Sequence, residues 1–129
     1  MIHAGTVKKY FLLLASLNIF AVALLYGVSP SWFASFFFGL SPIDRNLAHI
    51  FRAMMCLYFG FGLYWLLAAF SPCYRNAALL TVMIFPVGLA FGRIISFFAD
   101  GKPAPLLLLY MFAEFIQAPL AYWVFRLRD

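Results

Sequence analysis

Two charged residues stand where charges are costly. Arg93 lies in "GLAFGRIISFFAD" (88–100) and Glu114 in "YMFAEFIQAPLAYW" (110–123), segments that are otherwise almost wholly apolar. A guanidinium offers a planar fork of N–H donors, and a carboxylate offers acceptors that match it. Brought together, the two make either a clamp between two segments or the polar floor of a binding site. A third segment, "DRNLAHIFRAMMCLYFGFG" (44–62), carries Asn46, His49 and Arg52 at intervals of three. On a helix these cover an arc of about 120° and share one face. Gln117 follows Glu114 by three residues and shares its face, Tyr58 lies further along the segment of Arg52, and Asn18 sits within "YFLLLASLNIFAVALLYGV" (10–28).

Two arginines against one glutamate leave a surplus positive charge, which suits a lipid phosphate or a carboxylate. Each residue also has a plainer reading. Arg93 and Glu114 can simply fix helix register. Arg52 can snorkel outward, His49 can be an interfacial polar residue, and Asn18 can hydrogen-bond a neighbouring helix. No nucleophile elbow, phosphate loop, His-Glu-x-x-His or Cys/His metal set occurs, so no cofactor, metal or catalytic residue is expected from motifs. Cys56 and Cys73 lie at the two ends of one apolar run, about 25 Å apart if helical, and read as free thiols.

The elements that must position these residues follow from composition. The chain has 129 residues, 67% of them hydrophobic and 10% charged. Soluble domains average about 45–50% and 25%, so the chain reads as an integral membrane protein. Its net charge of +5 does not point to nucleic acid, because the cations flank apolar runs and form no patch. Four runs, at about 10–28, 48–70, 75–98 and 104–125, each approach the ~20 residues that cross a bilayer. None alternates with period two, and lipid satisfies no backbone groups, so the runs must be helices. We therefore expect one integral membrane domain over residues 1–129: an antiparallel four-helix bundle. The first run is too long for a cleaved signal and is read as a retained span.

Boundary signals refine this. Ser29-Pro30, Ser41-Pro42 and Ser71-Pro72 each fit a helix start, a serine cap followed by proline at the first helical position. The second would put Asp44 at the third helical position. "PSWFASFFF" (30–38) is too short to span and reads as an interfacial helix between the first two spans, with Trp32 at headgroup level and Gly39 as its end. Pro86 and Pro119 should kink the third and fourth spans. Gly88 and Gly92, together with Gly60 and Gly62, suggest close packing of the second span on the third. Lys8, Lys9, Arg75, Arg126 and Arg128 fall on one side, against Arg45 and Lys102 on the other, which places both termini in the cytoplasm. Arg93 then lies about 9 Å and Glu114 about 15 Å below the outer surface, on antiparallel neighbours, and the two should meet.

The segments "NLAHIFRAMMCLYFGFGLYWLLAAF", "GLAFGRIISFFADGKPAP" and "YMFAEFIQAPLAYW" resemble the DUF4345 family of small bacterial membrane proteins, similar in outline to DoxX-like four-helix proteins. The shared points fall on Asn46, Arg52, Gly92, Arg93, Ser96 and Glu114. The resemblance implies a four-helix fold in the bacterial inner membrane and brings no assigned activity. Three functions are open at this stage. One is an outward-facing pocket of Arg52, Arg93, Glu114, Gln117, His49, Asn46 and Tyr58 for a lipid headgroup or a quinone-like ligand. Another is an accessory subunit bound to other membrane proteins. The last is a small enzyme or proton-coupled carrier that uses Glu114, with His49 as relay.

Overall fold

The computed structural model describes residues 3–128. Within them the chain is all-helical: α1 (Ala4–Gly27), α2 (Pro30–Phe38), α3 (Arg45–Phe70), α4 (Pro72–Asp100) and α5 (Pro105–Arg126). Helices α1, α3, α4 and α5 are each long and apolar enough to cross a membrane. The shortest of them, α5, has 22 residues and so extends about 33 Å, slightly more than a hydrocarbon core of about 30 Å. The protein is an antiparallel bundle of four membrane-spanning helices, with α2 as the short helix between the first two.

The helix ends obey local rules. Ser29 accepts a hydrogen bond from the Trp32 backbone N–H at 3.4 Å and Pro30 opens α2. Gly39 closes it with φ +68°, and the Leu40 N–H reaches back to the Ala34 carbonyl at 3.1 Å. That left-handed turn is cheap only without a Cβ. Phe33 and Ala34 of α2 are buried, whereas Ser31, Trp32 and Phe36 face outward. At Ser41-Pro42 the expected helix start fails. The helix begins three residues later, with Asp44 as its N-cap in extended backbone and its carbonyl accepting the Ala48 N–H at 3.1 Å. The Asp44 side chain makes no capping bond, so the later start rests on its extended backbone and not on a side-chain cap. Pro86 and Pro119 sit inside unbroken α4 and α5.

The bundle is assembled mainly from two pairs. Packing is most extensive between α1 and α3 and between α4 and α5; α3 meets α4 more sparingly, and α1 meets α5 more sparingly still. Small residues set the first pair. A Cβ on Gly62 would come within 2.6 Å of the Phe20 ring and 2.9 Å of Ile19, and one on Gly27 would collide with Met55. The glycines of the expected interface between α3 and α4 behave otherwise: Gly60, Gly88 and Gly92 are exposed, with nothing within 4 Å of a Cβ. The close approach belongs to α1 and α3, so that expectation is corrected.

Polar side chains bind α3 and α4 to each other and to α1. The Trp65 indole N–H donates to Thr81 Oγ1 at 2.8 Å, and Thr81 in turn donates to the Ala78 carbonyl at 2.7 Å. Arg75 donates through Nε and Nη2 to the Ala69 carbonyl at 3.2 and 3.0 Å, and through Nη1 to the Gly5 carbonyl at 3.3 Å. It thus satisfies a carbonyl at the end of α3 and ties down the start of α1. Lys8, only 4% exposed, donates Nζ to Asn76 Oδ1 at 3.0 Å.

Substitution separates the two classes of glycine. Gly62→Val should lower stability by about 1–3 kcal/mol through overpacking, whereas Gly88→Ala should leave the midpoint of thermal unfolding in detergent unchanged or raised. Equal midpoints for the two variants would contradict the packing described.

Candidate functional site

The hairpin of α4 and α5 carries the central charges. Arg93 lies seven residues before the end of α4, and Glu114 nine residues after the start of α5. At about 1.5 Å per residue these are depths of about 10 and 14 Å from the same turn. The two side chains meet there: Arg93 Nε is 3.1 Å from Glu114 Oε1 and 3.0 Å from Oε2. Glu114 is only 8% exposed. The pair uses Nε alone, so the terminal guanidinium nitrogens keep donors for other partners.

Three tyrosines from three helices surround the pair. Tyr110 lies four residues before Glu114 on the same face of α5, and its ring centroid is 5.8 Å from the guanidinium carbon of Arg93. That spacing brings a π face within cation range. Tyr26 of α1 stands 5.9 Å from Tyr58 of α3, edge to face, and 6.3 Å from Tyr110. The Tyr110 hydroxyl is buried and has no hydrogen-bond partner among the described residues. A buried hydroxyl without a partner costs free energy, so it marks a place where water or a ligand atom belongs.

These groups line a cavity of about 70 Å³ that touches all four long helices. Its polar wall is Arg93, Glu114, Gln117, Tyr110 and Asn18; its apolar wall includes Trp65, Phe85 and Pro86. Asn18 and Ala113 line it and are also exposed, so the cavity opens sideways between α1 and α5, the most sparsely packed side of the ring. The volume admits a few waters or the tip of a ligand. It is well below the ~300 Å³ at which pockets for whole small molecules begin.

Of the residues singled out by sequence, the cavity gathers Arg93, Glu114, Gln117 and Tyr58, together with Asn18. It does not gather Arg52, His49 or Asn46, and this corrects the single centre expected from them. All three are exposed on α3. Phe51, Tyr58, Gly62 and Trp65 form the buried stripe of that helix. Arg52 stands 100° around the helix from Phe51, and His49 and Asn46 stand further round. His49 and Arg52 therefore lie on α3 away from the cavity. Tyr26 and Tyr110 were missed by sequence reasoning. The four-residue spacing from Tyr110 to Glu114 was a usable signal. Tyr26, alone at the end of an apolar run, looks like any interfacial tyrosine.

The chemistry left to the site is hydrogen bonding without net charge. A carboxylate accepts, and a guanidinium, a phenol and an amide donate, against an aromatic wall. The coupling of the pair can be measured. Arg93→Met alone strands a buried carboxylate and should cost about 3–5 kcal/mol. Adding Glu114→Leu should recover most of that loss in thermal unfolding, whereas additive losses would mean the two groups are energetically independent.

A family model covers nearly the whole bundle, from within α1 to the last turn of α5. No match was found among curated proteins or among solved structures. On the match of residues 7–125, the chain belongs to the DUF4345 family, a domain of unknown function.

Proposed function

We propose that the cavity holds the polar end of an amphipathic membrane molecule, with its apolar part passing between α1 and α5 into lipid. The observation that carries this reading is the buried, unpartnered Tyr110 hydroxyl at the cavity beside Arg93. A ligand carbonyl or hydroxyl would take its proton and the spare donors of Arg93. Because Glu114 neutralises Arg93 and Arg52 lies elsewhere, a neutral quinone-like head suits the site better than a phosphate. The exposed Asn18 and Ala113 at the mouth favour access from the membrane. We further place the end bearing Lys8, Lys9, Arg75, Arg126 and Arg128 in the cytoplasm of a bacterial inner membrane. Arg93 and Glu114 then lie in the outer half, and the cavity runs inward from them to Trp65.

Trp65 lines the cavity and reports on its contents. In a Trp32→Phe/Trp123→Phe background, decylubiquinone should quench Trp65 saturably, and dodecyl phosphate at the same micellar concentration should not. Tyr110→Phe should weaken the quinone by about fivefold, the worth of one hydrogen bond of about 1 kcal/mol. Linear, unsaturable quenching, or equal affinity in wild type and Tyr110→Phe, would remove the proposed ligand site.

A second reading, a subunit docked within the membrane, is supported by the exposed Gly88 and Gly92 of α4. Small residues at this spacing admit another helix closely. Gly88→Leu/Gly92→Leu should then release a co-purifying partner in native mass spectrometry. Wild-type protein that purifies alone would refute this reading.

A further inference from the structure

Away from the cavity, one face of α3 gathers positive charge that the bundle leaves unused. Arg45, His49 and Arg52 follow one another at intervals of four and three residues, so they line one side of the helix. All three are exposed, as is Asn46 beside them, and among the described residues their side chains make no hydrogen bond or ion pair. Among the described residues no carboxylate pairs with them: Glu114 is paired with Arg93, Asp100 accepts from Ser96, and Asp44 stands at the N-cap position with no side-chain cap bond.

The same face continues as an apolar groove. Cys56, Leu57, Gly60, Phe61 and Tyr64, all on α3, line a shallow, largely open depression of about 440 Å³. Cys56 lies one turn beyond Arg52 and Gly60 one turn further, so this shallow trough runs straight on from the charged row. Gly60 leaves the middle of this face bare and open, since a Cβ there would meet nothing within 4 Å. From Arg52 to Tyr64 is twelve residues, about 18 Å along the helix. That is close to the hydrocarbon of one leaflet, half of about 30 Å.

Cations at one end of an apolar trough one leaflet long match one kind of molecule. We propose that this face of α3 holds an anionic phospholipid, its phosphate on Arg45 and Arg52 and one acyl chain in the trough at Gly60. Guanidinium groups bind phosphate in charge-assisted pairs, and Arg52 reaches the headgroup layer from within the span by snorkelling. A free anion would use the arginines but not the trough. A second protein helix would use the trough but leave the arginines unmatched. The site is independent of the ligand proposed for the internal cavity.

The test is native mass spectrometry of protein released from nanodiscs of equal parts phosphatidylglycerol and phosphatidylcholine. Wild type should retain phosphatidylglycerol in preference to phosphatidylcholine. Arg45→Gln/Arg52→Gln should reduce that preference by about fivefold for each arginine removed, with Arg52→Gln alone as the fallback if the double variant is not recovered. Gly60→Leu fills the bare middle of this exposed helix face and should lose both lipids while the thermal midpoint stays unchanged. Undiminished preference in the arginine variants overturns the site. So does full retention in Gly60→Leu, which would reduce it to surface charge, or a retained second copy of the chain in place of lipid. Tyr110→Phe should leave lipid retention as in wild type.

Discussion

The constraint on which the rest depends is that an ionised group enclosed within the bundle must bring its own counter-charge, whereas one on the lipid face, such as Arg52, can reach the headgroups. A charge at the centre of a span costs at least about 2.5–3.5 kcal/mol even on the most lenient insertion scales. Arg93 and Glu114 answer this within a single helical hairpin, at matched depths below a short turn. Their pairing fixes the register of α4 on α5, because a slip of one turn would move the groups about 5 Å apart in depth and strand both. The aromatic residues then build outward from the pair. Tyr110 lies against the guanidinium, Tyr26 also meets Arg93 and stands edge to face with Tyr58, and Tyr26 continues into Phe33 of α2 at 4.7 Å. Through that contact the interfacial helix belongs to the wall behind the cavity.

Much of this was legible in the residues. The four spans follow from hydropathy and length, since lipid forbids most alternatives. Gly39 and two of the three Ser-Pro pairs marked helix ends by mechanisms that act locally. The meeting of Arg93 with Glu114 could be foreseen because a short loop fixes the relative depth of adjacent helices, and depth was the only coordinate required.

What could not be read is rotation about a helix axis. In water, the polar face of a helix declares its outside. In lipid, inside and outside are equally apolar, and Phe51, Tyr58 and Trp65 look no more buried by type than Leu57 or Leu63. Asn46, His49 and Arg52 share a face, as their spacing said, but that face looks outward. The glycines failed for the same reason. Gly62 is pressed against Phe20 while Gly60, two residues away, stands open. Nothing in "GFG" distinguishes them until the partner helix is known.

The uneven packing of the bundle has a mechanical consequence. Helices α1 and α3 pack closely, as do α4 and α5, and the two pairs meet over less surface, joined by the hydrogen bonds of Trp65, Arg75 and Lys8. Both members of the ion pair ride on the same pair of helices. A rocking of one helix pair against the other would therefore widen or narrow the chamber without separating the charges. Any such movement would leave Arg93 and Glu114 together but would shift Tyr26, which α1 brings against Arg93.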